Sequence, residues 1–127
     1  MTVSTMLSLL SEGFVTSLLI FALTLLFSMP LGLAVLFGRR SRLTPLRGFI
    51  KAYISIMRGT PLMLQLMVVF YGPKLLLGVT VPGNWRFTAV IVAFVIHYAA
   101  YFAEIYRGGL ESIPRGQYEA APVLGYP

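Results

Sequence analysis

The sequence predicts an all-α integral membrane protein, a helical bundle of about three spans, and three observations carry that prediction. Of its 127 residues, 57% are hydrophobic and 11% charged, whereas soluble domains hold roughly 25% charged residues and about 45–50% apolar ones. The apolar residues fall in long runs separated by polar stretches. The basic residues crowd between two of those runs: Arg39, Arg40, Arg42, Arg47 and Lys51 occupy one short stretch. A soluble domain of this length buries only about two-thirds of its surface, leaving such an apolar excess in water. A bilayer removes that difficulty.

The composition also excludes functions. A net charge of +6 is explained by basic residues flanking a span, so no nucleic-acid partner is expected. With no cysteine and no aspartate, thiolate metal sites and aspartate-based triads are ruled out. A membrane enzyme has little to work with, since a single histidine remains. No catalytic residue, metal site or cofactor is expected. Residues 1–13 lack a basic region and carry Glu12, and the apolar run after them exceeds a signal-peptide core of about 7–15 residues.

Residues 14–38 are uncharged. At about 1.5 Å per residue this run reaches roughly 37 Å, more than the ~30 Å hydrocarbon core, so tilt or a kink at Pro30 is expected. Gly13, Ser17, Thr24, Ser28 and Gly32 fall along one side of it, a packing seam of the kind that lets helices approach closely in lipid. The basic stretch that follows places this loop in the cytoplasm and the N-terminus, Met1 included, outside. Thr44-Pro45 reads as a helix start, Thr as N-cap and Pro at the first helical position. Arg47, Lys51 and Arg58 then share one face, suited to a helix entering from the headgroup layer and to anchoring on lipid phosphates.

Gly59-Thr60-Pro61 interrupts that helix and restarts or kinks it. Residues 59–73 are uncharged but short for a crossing, so the second span, about 54–77, borrows from its flanks. Gly78, Pro82, Gly83 and Asn84 mark a turn-rich outer loop, with Trp85 as an interfacial aromatic. The third span covers about 86–106. His97, Tyr101, Glu104 and Gly108 share one of its faces, while Ile91, Val95, Phe102 and Tyr106 lie opposite, suited to lipid or a partner. Ionisable groups within a span face a bundle interior. His97 therefore either bonds a neighbouring helix or lines a pathway, and Glu104 is expected to pair with Arg107 or Arg58. Residues 108–127 form one cytoplasmic segment at the end of a single transmembrane domain.

Three local patterns carry a family resemblance. Arg58-Gly59-Thr60-Pro61-Leu62, followed by Gln65-Leu66, resembles a signature of polar amino acid ATP-binding-cassette (ABC) permeases. Ala100-Tyr101-Phe102-Ala103-Glu104-Ile105-Tyr106-Arg107-Gly108-Gly109 is similar to the end of their third span. Ser112-Ile113-Pro114-Arg115-Gly116-Gln117, then Glu119-Ala120-Ala121 and Gly125, resembles the first half of the EAA loop of ABC importer permeases.

The resemblance implies a type I ABC importer transmembrane domain, truncated to about three spans and ending within that loop. It implies the translocation subunit of an ATP-driven amino acid importer, multi-pass in the cell (inner or cytoplasmic) membrane. The expected partners are a cytoplasmic ABC ATPase subunit, a second permease subunit (the same or related), an external or periplasmic solute-binding protein, and membrane lipid. ATP hydrolysis is expected on the separate ATPase, as no G-x-x-x-x-G-K-[ST] loop is present. Gly116, Gln117, Glu119, Ala120, Ala121 and Gly125 would couple to that ATPase. Arg58, Gly59, Thr60 and Pro61 form the motif near the cytoplasmic side, and Gln65, His97, Tyr101 and Glu104 form a pathway or packing face. The family motif runs on past the glycine, and Pro122 sits inside the expected loop helix, beyond its first turn if that helix begins at Tyr118. An incomplete chain, inactive alone, is therefore expected. The alternative reading is a small structural or pore-forming membrane protein acting without an ATPase, for which residues 111–125 would be dispensable.

Overall fold

A computed structural model describes residues 2–127; Met1, expected on the outer side, lies outside the described residues. The described residues form five helices: α1 (Val3–Arg39), α2 (Thr44–Gly59), α3 (Leu62–Leu77), α4 (Trp85–Glu111) and α5 (Arg115–Val123). The all-α expectation holds. Two of the helices, α1 and α4, are each long and apolar enough to cross a membrane; α2 and α3 together would supply a third crossing, bent by 110° at the break between them.

Helix α1 starts where the Thr2 hydroxyl accepts from the Thr5 N–H at 3.1 Å, a side-chain cap on an otherwise unpaired donor. The helix runs through Pro30 to Arg39 without interruption. Helix α2 begins at Thr44, with Leu43 rather than Thr44 in the N-cap position and no side-chain cap. The Leu43 N–H bonds the Ser41 hydroxyl at 3.1 Å instead. Pro45 fits the first turn, where its missing N–H would have had no partner.

The core lies along the pairing of α1 with α4 and is built mostly from small residues. Thr24, Ser28, Gly32, Val35 and Leu36 are the buried residues of α1; six on α4 are buried, five of them alanines. Gly32 is the closest point. A Cβ there would stand 2.7 Å from Phe102 Cβ and 3.2 Å from the Ala99 carbonyl oxygen. Where lipid supplies no hydrophobic drive between helices, close backbone approach replaces it with dispersion contacts. The Thr24 and Ser28 hydroxyls in this seam are buried without a hydrogen-bond partner. Gly13 has open space beside it, so the contact seam uses the inner part of the expected stripe. Phe102 and Tyr106, stacked with ring centroids 6.0 Å apart, are also turned toward α1: the Tyr106 hydroxyl donates to the Met29 carbonyl at 3.2 Å.

Helix α2 joins this pair through Ile54, packed with Val35, Ala100 and Ala103 and flanked by Ile50, Tyr53 and Met57. The Tyr53 hydroxyl donates to the Ile96 carbonyl. Helix α3 ends at Gly78, whose φ of +64° is the left-handed conformation that glycine adopts at least cost. There the Val79 N–H returns to the Pro73 carbonyl at 3.2 Å. Trp85 opens α4 and ties it to α3, its indole N–H donating to the Phe70 carbonyl at 3.0 Å. Most large apolar side chains outside the seam remain exposed, the surface expected of a chain solvated by lipid and by partners rather than by water.

Candidate functional site

The residues singled out in the sequence gather in two places. The first is a polar strip along α4 facing the α2–α3 break. Helix α2 ends at Gly59, and Thr60 and Pro61 are both extended, at φ −115°, ψ 148° and φ −64°, ψ 139°. Proline cannot continue a helix and disfavours helical backbone at the residue before it, which is why the chain breaks here. The Thr60 hydroxyl donates to the Ile56 carbonyl at 2.7 Å, capping the end of α2.

Gln65 closes the break. Its Nε2 donates to the Met57 carbonyl at 3.1 Å and to the Thr60 carbonyl at 3.3 Å, and it also meets the Thr60 hydroxyl. Its Oε1 lies 2.9 Å from His97 Nδ1 on α4. Of the two roles left open for His97, the structure displays the bond to a neighbouring helix. His97 is 6% exposed and sits with its ring centroid 4.9 Å from that of Tyr101. The Arg58 guanidinium lies 5.7 Å from the Tyr101 ring centroid, within cation–π range.

One helical turn further on, Glu104 collects three arginines from three helices. Arg39 of α1 pairs with its Oε1, Arg107 Nη2 is 2.7 Å from its Oε2, and Arg58 Nη1 is 3.4 Å from the same oxygen. The expected partners Arg107 and Arg58 are both present. Arg39 was not foreseen, because a basic residue at the end of a span is explained by topology alone. Arg107 also holds Glu111 at 2.9 Å. The carboxylate is 14% exposed, so removing it would leave poorly solvated positive charge behind.

The second place is α5. Helix α4 ends at Glu111, and Pro114 is the N-cap residue of α5. The helix begins at Arg115, three residues before Tyr118, so Pro122 falls in its last turn. Its end is a Schellman arrangement: the Tyr126 N–H bonds the Ala121 carbonyl at 2.9 Å and the Gly125 N–H bonds the Pro122 carbonyl at 3.1 Å. Gly125 has φ +88°, a left-handed backbone that a side chain would strain. Gly116, Gln117, Glu119 and Ala120 are exposed and Ala121 half-buried. Among the described residues, Glu119 pairs only with Arg115, at 3.4 Å along its own helix. No other helix packs extensively on α5. Among the described residues there is no group of three or more metal-ligating side chains.

These arrangements coincide with a family match. The family model described as "Binding-protein-dependent transport system inner membrane component" matches residues 28–127. The chain is 38% identical over 116 residues to the arginine transport system permease protein ArtQ of Bacillus subtilis, covering 91% of this chain and 52% of that one. It is 36% identical over 117 residues to the L-cystine transport system permease protein TcyB of the same organism, covering 91% and 48%. The chain thus spans about half the length of the curated relatives it matches. Among solved structures, it resembles the crystal structure of an amino acid ABC transporter with histidines, with a TM-score of 0.83 and 32% identity over 100% of this chain and 60% of that one. With the family model matching from Ser28 on α1 through α5, the chain belongs to the binding-protein-dependent transport system inner membrane components.

Proposed function

We propose that this chain forms the front part of the translocation subunit of an ATP-driven amino acid importer, and that α5 couples it to a separate ATPase. The spans are those read from the sequence, about 14–38, 54–77 and 86–106, followed by the coupling segment 108–127. The five basic residues of the α1–α2 region favour a cytoplasmic α5 and an outside N-terminus. A second permease subunit and an external solute-binding protein complete the assembly, and the substrate class follows from the relatives' arginine and cystine.

The observation that carries this reading is the exposed state of α5. A short helix beyond the last apolar one, with a small-residue surface at Ala120-Ala121 and an end fixed by Gly125, offers its face to another protein. Transmitting ATPase closure to the spans requires a compact element that shifts as a unit.

The test is uptake by the assembled transporter. Ala121→Trp would hold the ATPase surface away, and Gly125→Val would strain the left-handed end by roughly 1–2 kcal/mol. Each should abolish ATP-driven uptake while membrane insertion stays intact. Uptake surviving both changes would remove the mechanism.

A further inference from the structure

Helices α2 and α3 meet at a bend of 110° yet scarcely pack on one another, whereas both pack on α4. The chain between them adds little stiffness. Thr60 and Pro61 are extended, and Gly59 has open space where a side chain would stand. Gln65 pins the break itself, donating to the Met57 and Thr60 carbonyls. Beyond that pin, one face of α4 holds both sides of the bend, since His97, Tyr101 and Glu104 follow one another at spacings of four and three. His97 grips the α3 side through Gln65, at 2.9 Å. Glu104 grips the α2 side through Arg58 Nη1, at 3.4 Å, with the Tyr101 ring against the same guanidinium.

The two grips differ in strength. His97 is 6% exposed, and its bond is short. Arg58 is 48% exposed, and the oxygen it meets is shared with Arg107 Nη2 at 2.7 Å. A long, half-exposed ion pair is weak, so it can be broken and remade without dismantling the bundle. Arg39 ties the same carboxylate to α1 rather than to the bend. Helix α4 runs unbroken to Glu111, and three residues later α5 begins. A displacement of α5 therefore reaches Glu104 along a single rod.

We infer that Arg58 is a positioning residue for transport: by making and breaking its pair with Glu104, it converts movement of α4 into a change in the angle between α2 and α3. A hinge with two settings, biased from α5 at one end, is the element that such coupling needs. The displacement itself rests on the importer reading, in which an ATPase moves α5.

The test measures the bend directly. The chain has no native cysteine, so Phe49→Cys on α2 and Leu75→Cys on α3, at positions 71% and 76% exposed, can carry a pair of spin labels. At about 1.5 Å per residue the labelled positions stand roughly 15–20 Å from the break, so a change of about 10° in the bend alters their separation by about 2–3 Å. In the transporter assembled with its ATPase, pulsed electron paramagnetic resonance should show a shift of that order between the nucleotide-free and the vanadate-trapped ATP states. Arg58→Gln should abolish the shift, and Arg58→Lys, which keeps the charge, should retain most of it. Arg39→Gln should also retain it, although Arg39 is the more buried of the two arginines. A purely structural role would give the opposite order.

A shift that survives Arg58→Gln, one lost equally in Arg39→Gln, or none in the unmodified complex overturns the inference. Ala121→Trp separates this outcome from the fate of the coupling reading. If that variant keeps both uptake and the shift, α5 is not the driver and the coupling reading falls, while a shift lost in Arg58→Gln still supports the hinge. If it abolishes uptake and Arg58→Gln leaves the shift intact, the role of Arg58 falls alone.

Discussion

Gln65 Oε1 meets His97 Nδ1 at 2.9 Å while Gln65 Nε2 is held by the carbonyls that end α2. The Nε2 contacts are to acceptors, which fixes the orientation of the amide and makes Oε1 the acceptor toward the ring. His97 therefore carries its proton on Nδ1. One side chain thus links the end of α2, the start of α3 and the middle of α4.

Loss of this link should be felt from either end. Gln65→Ala and His97→Ala are each expected to lower stability by roughly 1–3 kcal/mol, since the first strands the buried His97 ring and the second the half-buried Gln65 amide oxygen. The double variant should cost less than the sum, with an interaction energy of about 0.5–3 kcal/mol. Denaturant unfolding in detergent micelles measures all three. Strict additivity would mean that the two residues act separately.

The arginines around Glu104 should rank by exposure. Glu104→Ala leaves the set without its carboxylate and should cost about 3 kcal/mol or more. Arg39 is 24% exposed and Arg58 48%, so Arg39→Ala should destabilise more than Arg58→Ala. Thermal unfolding midpoints of the three variants test the order, and an Arg58 effect equal to that of Arg39 would contradict it.

Gly32 sets the separation of α1 and α4. Gly32→Ala should destabilise by roughly 1–3 kcal/mol through overpacking. The obstructing atom is Phe102 Cβ, 2.7 Å from the added carbon, and alanine keeps that atom. Phe102→Ala should therefore fail to rescue Gly32→Ala, a result the same unfolding assay would show. Full rescue would place the clash on the ring instead.

Orientation is testable because the chain has no native cysteine. An impermeant thiol reagent applied to whole cells from outside should label Ser4→Cys and Thr80→Cys and spare Thr44→Cys. The opposite pattern would invert the protein in the membrane and move α5 away from any cytoplasmic ATPase.

Much of this was legible in the sequence because it depends on local chemistry. Pro61 breaks the chain whatever surrounds it, Gly125 ends α5 by its own conformational freedom, and Glu104 with Arg107 is one turn of one helix. What was not legible depends on which helices become neighbours. Arg39 looked like a topological charge until α1 lay against α4 and brought it to Glu104. By spacing Phe102 and Tyr106 suited lipid or a partner, and the same α1–α4 pairing gives them Gly32 and Met29 of α1. The Thr44 cap failed for a local reason instead: the helix starts one residue earlier, with Thr44 already inside it and Leu43 as N-cap.

The 37 residues of α1 make a rod of roughly 55 Å at about 1.5 Å per residue. Even at a 40° tilt, the steep end of what spanning helices adopt, a hydrocarbon slab of ~30 Å covers only about 26 residues. About three turns must then stand clear of the slab. If the Arg39 end sits at one membrane surface, the protruding part is the N-terminal one, where Val3, Leu7 and Leu10 are all more than half exposed. An apolar stub of that length does not stay in water uncovered. It either folds flat into the headgroup layer or is sheathed by another polypeptide.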